Sequence, residues 1–177
     1  MFDLKRLVQL PKRMVWGGYE SPVGEVTILA SNDGVCAIIF DGEVAEKIRV
    51  DFWHDEKHRV INKAIEQLGA YFDGGLKVFD LPLDLQGTDF QKQVWQLLLK
   101  IPFGQTRAYG DLARELGDVG ASQAVGAANG NNPVSIVVPC HRVIGASGDL
   151  TGYVGGMDKK AFLLQHEGVL QEQLALF

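Results

Sequence analysis

Only two of the 177 residues are cysteines, Cys36 and Cys140, and neither lies in a CxxC pair or a Cys/His cluster at metal-ligand spacing. A disulfide-built scaffold and a structural zinc site are therefore not expected. Apolar runs are all far shorter than a membrane span, and the opening MFDLKRLVQLPKR lacks the uninterrupted apolar region of a signal peptide. These features lead us to expect a cytoplasmic protein with reduced thiols and no membrane partner. Positive charge is also scarce. The net charge is −5, which argues against coating nucleic acid by electrostatics alone. The deficit is concentrated: residues 1–84 carry ten Lys and Arg against fourteen Asp and Glu, and residues 85–177 carry seven against eight. Between Val119 and His141 there is no Asp, Glu, Lys or Arg.

What remains is an ordinary globular composition, 46% hydrophobic, long enough for one large or two small cores. The segment RMVWGGYESPVGEVTILASNDGVCAIIF reads as three strands split by the turn signals SPVG and SNDG, an antiparallel meander in which Cys36 is a packed core thiol. HRVINKAIEQLGAYFDGG carries apolar residues at helical spacing and ends on a glycine pair. LKVFDLPLDLQG reads as a Pro-containing linker, which places a domain boundary between residues 84 and 85. Beyond it TDFQKQVWQLLLKI reads as a helix capped by Thr88 or Asp89, TRAYGDLARELG as another stopped by Gly117, and MDKKAFLLQHEG as a last one closed by Gly168.

The helix YGDLAREL and the following ASQAVGAANG, joined by GDVG, have the layout of a helix-turn-helix. Ala121, Ser122, Ala124, Gly126, Ala127, Ala128 and Gly130 leave the second helix with little side-chain bulk. Such a helix allows close backbone approach, and a narrow minor groove suits it. The stretch NNPVSIVVPCHRVIG then reads as a buried β-branched strand, ended by Pro139 because proline cannot continue a ladder, that leads into Cys140. If PCHRV opens a helical turn, Cys140 lies at its positive end, where a thiolate is favoured. His141 is adjacent in sequence, so proton transfer between the two needs a bridging water, and Glu167 is placed to orient the imidazole. His54 and His58 read as solvated, and His166 as a helix C-terminal cation. Spacing alone leaves a reactive and a merely buried Cys140 equally open.

NPVSIVVPCHRVIG, the flanking AVGAANGN and the tail GYVGGMDKKAFLLQHEG closely resemble the O6-alkylguanine-DNA alkyltransferases, continuously from about Phe90 to Gly168. The resemblance implies an α+β protein. Its N-terminal part would be a ribonuclease-H-like domain, an antiparallel sheet plus helix, over residues 1–84. Residues 85–177 would form a mostly helical winged-helix or helix-turn-helix-like catalytic domain. It implies that the protein flips a damaged guanine out of double-stranded DNA from the minor groove and moves its alkyl group to Cys140, once per molecule, as a monomer without cofactor or metal. O4-alkylthymine is a second candidate substrate. By position His141 and Glu167, with a water, match the residues that deprotonate the thiol. Asn132 matches the brace of the turn carrying the active-site strand, and Tyr109 the hydroxyl that assists the departing base. The carbonyls of Cys140 and Val143 match acceptors for the exocyclic amine, and Tyr153 matches the pocket wall. The residues contacting DNA are expected to be Ala121, Ser122, Ala124, Gly126, Ala127 and Gln123. Gln123 departs from the family, which normally carries there an arginine that fills the space left by the flipped base. Two other readings stay on the table: a damage-binding protein of the same fold that transfers nothing, and a Cys-His hydrolase.

Overall fold

The computed structural model describes residues 12–40, 42–55 and 57–170. Three strands, β1 (Met14–Ser21), β2 (Gly24–Ser31) and β3 (Val35–Phe40), pair antiparallel as the turn signals predict. A short helix α1 (Glu43–Asp51) then leads to a two-residue strand β4 (Trp53–His54), which adds parallel to β1 and gives the order β3-β2-β1-β4. Neither α1 nor β4 is anticipated from the sequence. Alternation along the strands sends Ile28 and Leu29 to opposite faces. Leu29, Cys36 and Ala37 pack with Ile48 of α1 on one side, and Ile28 and Ile38 join the main core on the other, with Ile61, Ala64 and Leu68 of α2 (Arg59–Phe72).

The expected linker is more than a connection. Val35 N–H donates to the Pro82 carbonyl at 2.8 Å and Asp84 N–H donates to Val35 at 2.9 Å, so residues 82–84 run alongside β3. Gly34 permits this approach, since a Cβ there would stand 2.6 Å from the Pro82 carbonyl oxygen. The polar side chains at this joint, Ser31 and Lys12, both reach Asp84.

The second half begins with α3 (Asp89–Leu98), capped by Thr88 rather than Asp89: the Thr88 hydroxyl accepts from Gln91 N–H and the Gln91 side chain accepts from Thr88 N–H. Arg107–Ala108, expected as the start of a helix, instead form β5, paired parallel with β6 (Val143–Ile144). Helix α4 therefore starts at Tyr109 and runs to Glu115. Gly117, at φ 85°, turns the chain into a 3-10 turn (Val119–Ala121) and α5 (Ser122–Gly130). The last helix, α6 (Met157–His166), ends with Glu167 at its C-cap and Gly168 in the left-handed region. One continuous core links the halves, from Val15, Ile28 and Leu68 through Trp95, Leu98 and Val125 to Leu163.

Candidate active site

The run VSIVV is not a strand. Val134 makes a single bridge to Ile38, and the rest winds through tight turns, with Ile136 at φ 72°. A β-branched residue in that conformation is strained, and its surroundings have to enforce it. Two sets of hydrogen bonds do so. Ile38 of β3 donates to the Pro133 carbonyl at 2.9 Å and accepts from Ser135 N–H at 3.1 Å. From inside, the Asn132 side chain accepts from Val134 N–H at 3.0 Å and donates to the Val138 carbonyl at 2.7 Å. Asn132 is buried, so the loop is held by a satisfied amide at its centre.

This loop delivers Cys140 to a single 3-10 turn, Cys140–Arg142. The thiol is buried, 3% exposed. Three residues make too short a helix to supply the dipole expected from the sequence, and the thiol is not depressed: burial pushes it up. The Asn132 amide, the Lys160 ammonium and the N–H groups of Cys140 and His141 oppose that effect without overcoming it. In the resting molecule the thiol therefore keeps its proton.

His141 is fully buried, and its Nε2 lies 2.8 Å from Glu167 Oε1. Burial lowers its proton affinity further than Glu167 raises it, so the ring is neutral. Nε2–H then donates to the carboxylate and the lone pair lies on Nδ1, which is buried without a hydrogen-bond partner among the described residues. No direct hydrogen bond joins His141 to the Cys140 sulfur, in keeping with the divergence of adjacent side chains. Arg142, which the sequence reading passed over, grips Glu167 in two places, Nε to Oε2 at 2.9 Å and Nη2 to Oε1 at 3.0 Å, while Nη1 donates to the Ile101 carbonyl. Burial raises the Glu167 carboxyl, but the His141 and Arg142 hydrogen bonds and charges outweigh it and bring it down to about 2.

Lys160 was likewise missed. It is fully buried on α6, and its ammonium donates to the Val143 carbonyl at 2.6 Å and the Thr151 carbonyl at 2.9 Å. The carbonyls expected to receive the base are thus partly engaged: Val143 by Lys160, and Cys140 by Val143 N–H and, at 3.4 Å, the Asn129 amide. A carbonyl oxygen has two lone pairs, so each keeps limited accepting capacity. Tyr153 lies at the wall, edge-on to Phe40 with centroids 6.0 Å apart, its hydroxyl buried without a hydrogen-bond partner among the described residues. Tyr109, at the start of α4, accepts from the Thr151 hydroxyl at 3.0 Å, which leaves its own proton free to be donated. Tyr109 also flanks Gly126 of α5.

On α5 the exposed face carries Gln123, Ala124 and Ala127, with Ala121, Ser122 and Gly126 half-buried. Trp95 Nε1–H donates to the Ala128 carbonyl at 2.9 Å and fixes the helix from behind. Cys36, His54 and His58 lie away from the site, and His166 lies behind it against Tyr71. Cys36 is a packed core thiol pushed up to about 11 by burial and by nearby Asp84. His54 is exposed against Trp16, and His58 lies 3.2 Å from Asn32 rather than being simply solvated. His166 lies in the last turn of α6, as expected, with Nε2 2.7 Å from the Tyr71 carbonyl within an aromatic cluster.

A buried thiol, a hydrogen-bonded histidine–carboxylate pair behind it and a smooth second helix with an exposed face define the class: an enclosed cysteine under a helix-turn-helix. The chain matches the 6-O-methylguanine DNA methyltransferase ribonuclease-like domain over residues 14–85 and the DNA-binding domain of the same name over residues 89–169. It is 49% identical over 148 residues to a methylated-DNA–protein-cysteine methyltransferase of Mycolicibacterium paratuberculosis, covering 84% of this chain and 88% of the relative. A protein of the same name from Methanosarcina acetivorans is 47% identical, covering 88% and 99%. Among solved structures, the Mycobacterium tuberculosis O6-methylguanine methyltransferase superposes with a TM-score of 0.79 at 43% identity, covering 93% of this chain and 99% of that one. Mycobacterium tuberculosis OGT in complex with DNA gives 0.79 at 45% identity, covering 86% and 92%. The chain belongs to the O6-methylguanine DNA methyltransferase family.

Proposed function

We propose that this protein repairs DNA by moving the alkyl group of O6-alkylguanine onto its own Cys140. The observation that carries the reading is the buried Cys140 thiol beside a neutral His141 whose Nε2–H is committed to Glu167. With Nε2 engaged, the basic nitrogen is Nδ1, and one water bridging it to the sulfur takes the thiol proton. Lys160 and the Asn132 amide favour the thiolate that results. The sulfur attacks the saturated carbon on O6, the carbon–sulfur bond forms as the carbon–oxygen bond breaks, and the electron pair leaves with the base. Tyr109 donates toward a ring nitrogen as charge develops there. Overall the thiol gives up a proton and gains the alkyl group, and guanine regains the proton on its ring.

The thioether is stable and Cys36 is buried in the separate cluster under α1, so each molecule acts once. We assign DNA entry to α5, with Ala121, Ser122, Ala124, Gly126 and Ala127 allowing close approach along the minor groove and Gln123 filling the space left by the flipped base. The same reading takes residues 1–84 as the supporting domain and 85–177 as the catalytic one. It takes the protein to be a cytoplasmic monomer, and no helix among the described residues is long and apolar enough to cross a membrane. The test is intact mass after mixing with an oligonucleotide containing O6-methylguanine. One methyl group per chain, mapped to Cys140, is expected, after which transfer stops. An unchanged mass points to binding without transfer, and continued turnover to a hydrolase.

A further inference from the structure

Tyr71 lies on α2, packed beneath the N-terminal sheet, yet its side chain ends inside the relay. Its hydroxyl donates to Glu167 Oε1 at 2.8 Å, the same oxygen that accepts from His141 Nε2 at 2.8 Å and from Arg142 Nη2 at 3.0 Å. At the other end of the residue the Tyr71 carbonyl accepts from His166 Nε2 at 2.7 Å. Tyr71 thus clamps two consecutive residues of α6 and its cap, and the ring is fully buried among Phe72, Phe79, Phe103 and His166. The second carboxylate oxygen is held separately, by Arg142 Nε and by Gly104 N–H at 3.2 Å.

Three donors on one oxygen compete for its two lone pairs. Burial and the charge of Glu167 keep the Tyr71 hydroxyl protonated across the accessible pH range, so it is a permanent donor. We infer that Tyr71 is a positioning residue for the alkyl-transfer reaction: by sharing Oε1 with His141 it limits how strongly Glu167 draws on the His141 proton, and so sets the basicity of the nitrogen that serves Cys140. The supporting half of the protein thereby supplies a member of the relay. The inference rests on the relay reading above.

The charged and titratable groups around the His141–Glu167 pair are Tyr71 from α2, Arg142 from the 3-10 turn, and Lys160 and His166 from α6, with Tyr153 toward Cys140 and Tyr71 and Lys77 beyond the Phe103 ring. Among them Tyr71 is the one whose hydrogen bond can be deleted without removing a charge. Tyr71→Phe keeps the aromatic packing and removes one donor from Oε1. His141 then bonds Glu167 more strongly, Nδ1 becomes more basic, and Cys140 becomes reactive at lower pH. A hydrogen bond of ordinary net strength corresponds to a shift of about half a unit to one unit.

The experiment measures the rate of Cys140 alkylation by iodoacetamide against pH in the full chain, with the site mapped by peptide mass, for wild type, Tyr71→Phe and the packing control Phe72→Leu. We expect the Tyr71→Phe midpoint to move toward acid and the His141 Nε2–H proton resonance to move downfield. Phe72→Leu should lower the melting temperature and leave the midpoint where it is. A Tyr71→Phe midpoint that coincides with wild type overturns the inference, as does an equal shift in both variants. Methyl transfer from DNA is measured in parallel. Its failure in wild type, with the iodoacetamide shift intact, would count against the repair reaction and not against the role of Tyr71.

Discussion

Asn132 donates to the Val138 carbonyl at 2.7 Å across the turn in which Ile136 takes a φ of 72°. The amide also accepts from Val134 N–H, so a single buried side chain satisfies both ends of a strained loop that carries Cys140. Asn132→Ala leaves the buried Val134 N–H without its partner and takes one donor from the Val138 carbonyl, which keeps Cys140 N–H at 2.8 Å, at a cost of about 1–3 kcal/mol. Urea unfolding should show a drop in that range, and methyl transfer should fall by more than the stability loss explains, because the loop relaxes away from Cys140. Full transfer activity in a destabilised variant would mean that the brace serves folding alone.

Cys140→Ser and Cys140→Ala should abolish methyl transfer while DNA binding persists, since α5 and Tyr109 are untouched. Intact mass and a gel-shift assay read the two properties separately. Methylation surviving in either variant would redirect attention to Cys36.

Glu167→Gln should act on both stability and rate. The Glu167 carboxyl is brought down to about 2 in the folded protein, from an ordinary 4.5. A depressed carboxyl contributes stability above its unfolded value, lost as pH falls from about 4.5 toward 2. The glutamine variant should lose that acid sensitivity. At neutral pH it leaves the buried Arg142 guanidinium without its counter-charge, costing about 3–5 kcal/mol. The imidazolium loses its stabilising charge too, so the rate of Cys140 alkylation should rise with pH at higher values than in wild type. Coincident pH–rate curves would remove Glu167 from the relay.

Gln123→Arg should speed repair of fully paired DNA and leave the reaction with free O6-methylguanine nearly unchanged. Extruding a paired base costs a few kcal/mol, and less when the base is mispaired or single-stranded. If the exposed, neutral Gln123 of α5 is the side chain that fills the gap, it does so without the cation that attracts phosphates, and wild type should favour mismatched or single-stranded substrate. The gain from arginine should shrink with added salt. An equal gain on the free base would show that residue 123 does not act on extrusion.

Methylated Cys140 should be less stable than the free thiol. At 3% exposure, beside the Asn132-braced loop, Cys140 is enclosed by protein, where an added methyl group would have to be accommodated. Overpacking a filled site costs about 1–3 kcal/mol. Thermal melting before and after complete methylation measures it, and an unchanged melting temperature would show that the site holds a methyl-sized space in advance.

The hairpins, the glycine stops and a helix cap at Thr88 or Asp89 are readable from the chain because local turn and cap chemistry fixes them, and the structure selects Thr88. Cys140, His141 and Glu167 were readable as a group through the motif. Helix α1 was not, since EVAEKIRVD buries only Ala45 and Ile48 and carries a weak apolar stripe. VSIVV misled because its β-branched composition matches a strand, while tertiary hydrogen bonds from Ile38 and Asn132 impose turns. Arg142 and Lys160 escaped notice because long cations are read as solvated by default, and only the folded site shows carbonyls and a carboxylate waiting for them. The thiol was expected low from a helix terminus, but burial in the site dominates.

Ile38 donates to Pro133 and accepts from Ser135, so a strand near the start of the chain and the loop before Cys140 share one backbone ladder. Their lengths are therefore inherited together. A single-residue insertion in β3 would turn every side chain after it to the opposite face and shift the rung on which the loop hangs. Grafting a foreign N-terminal half onto this C-terminal half should succeed only where the donor keeps that rung in register, however similar the two halves are in outline.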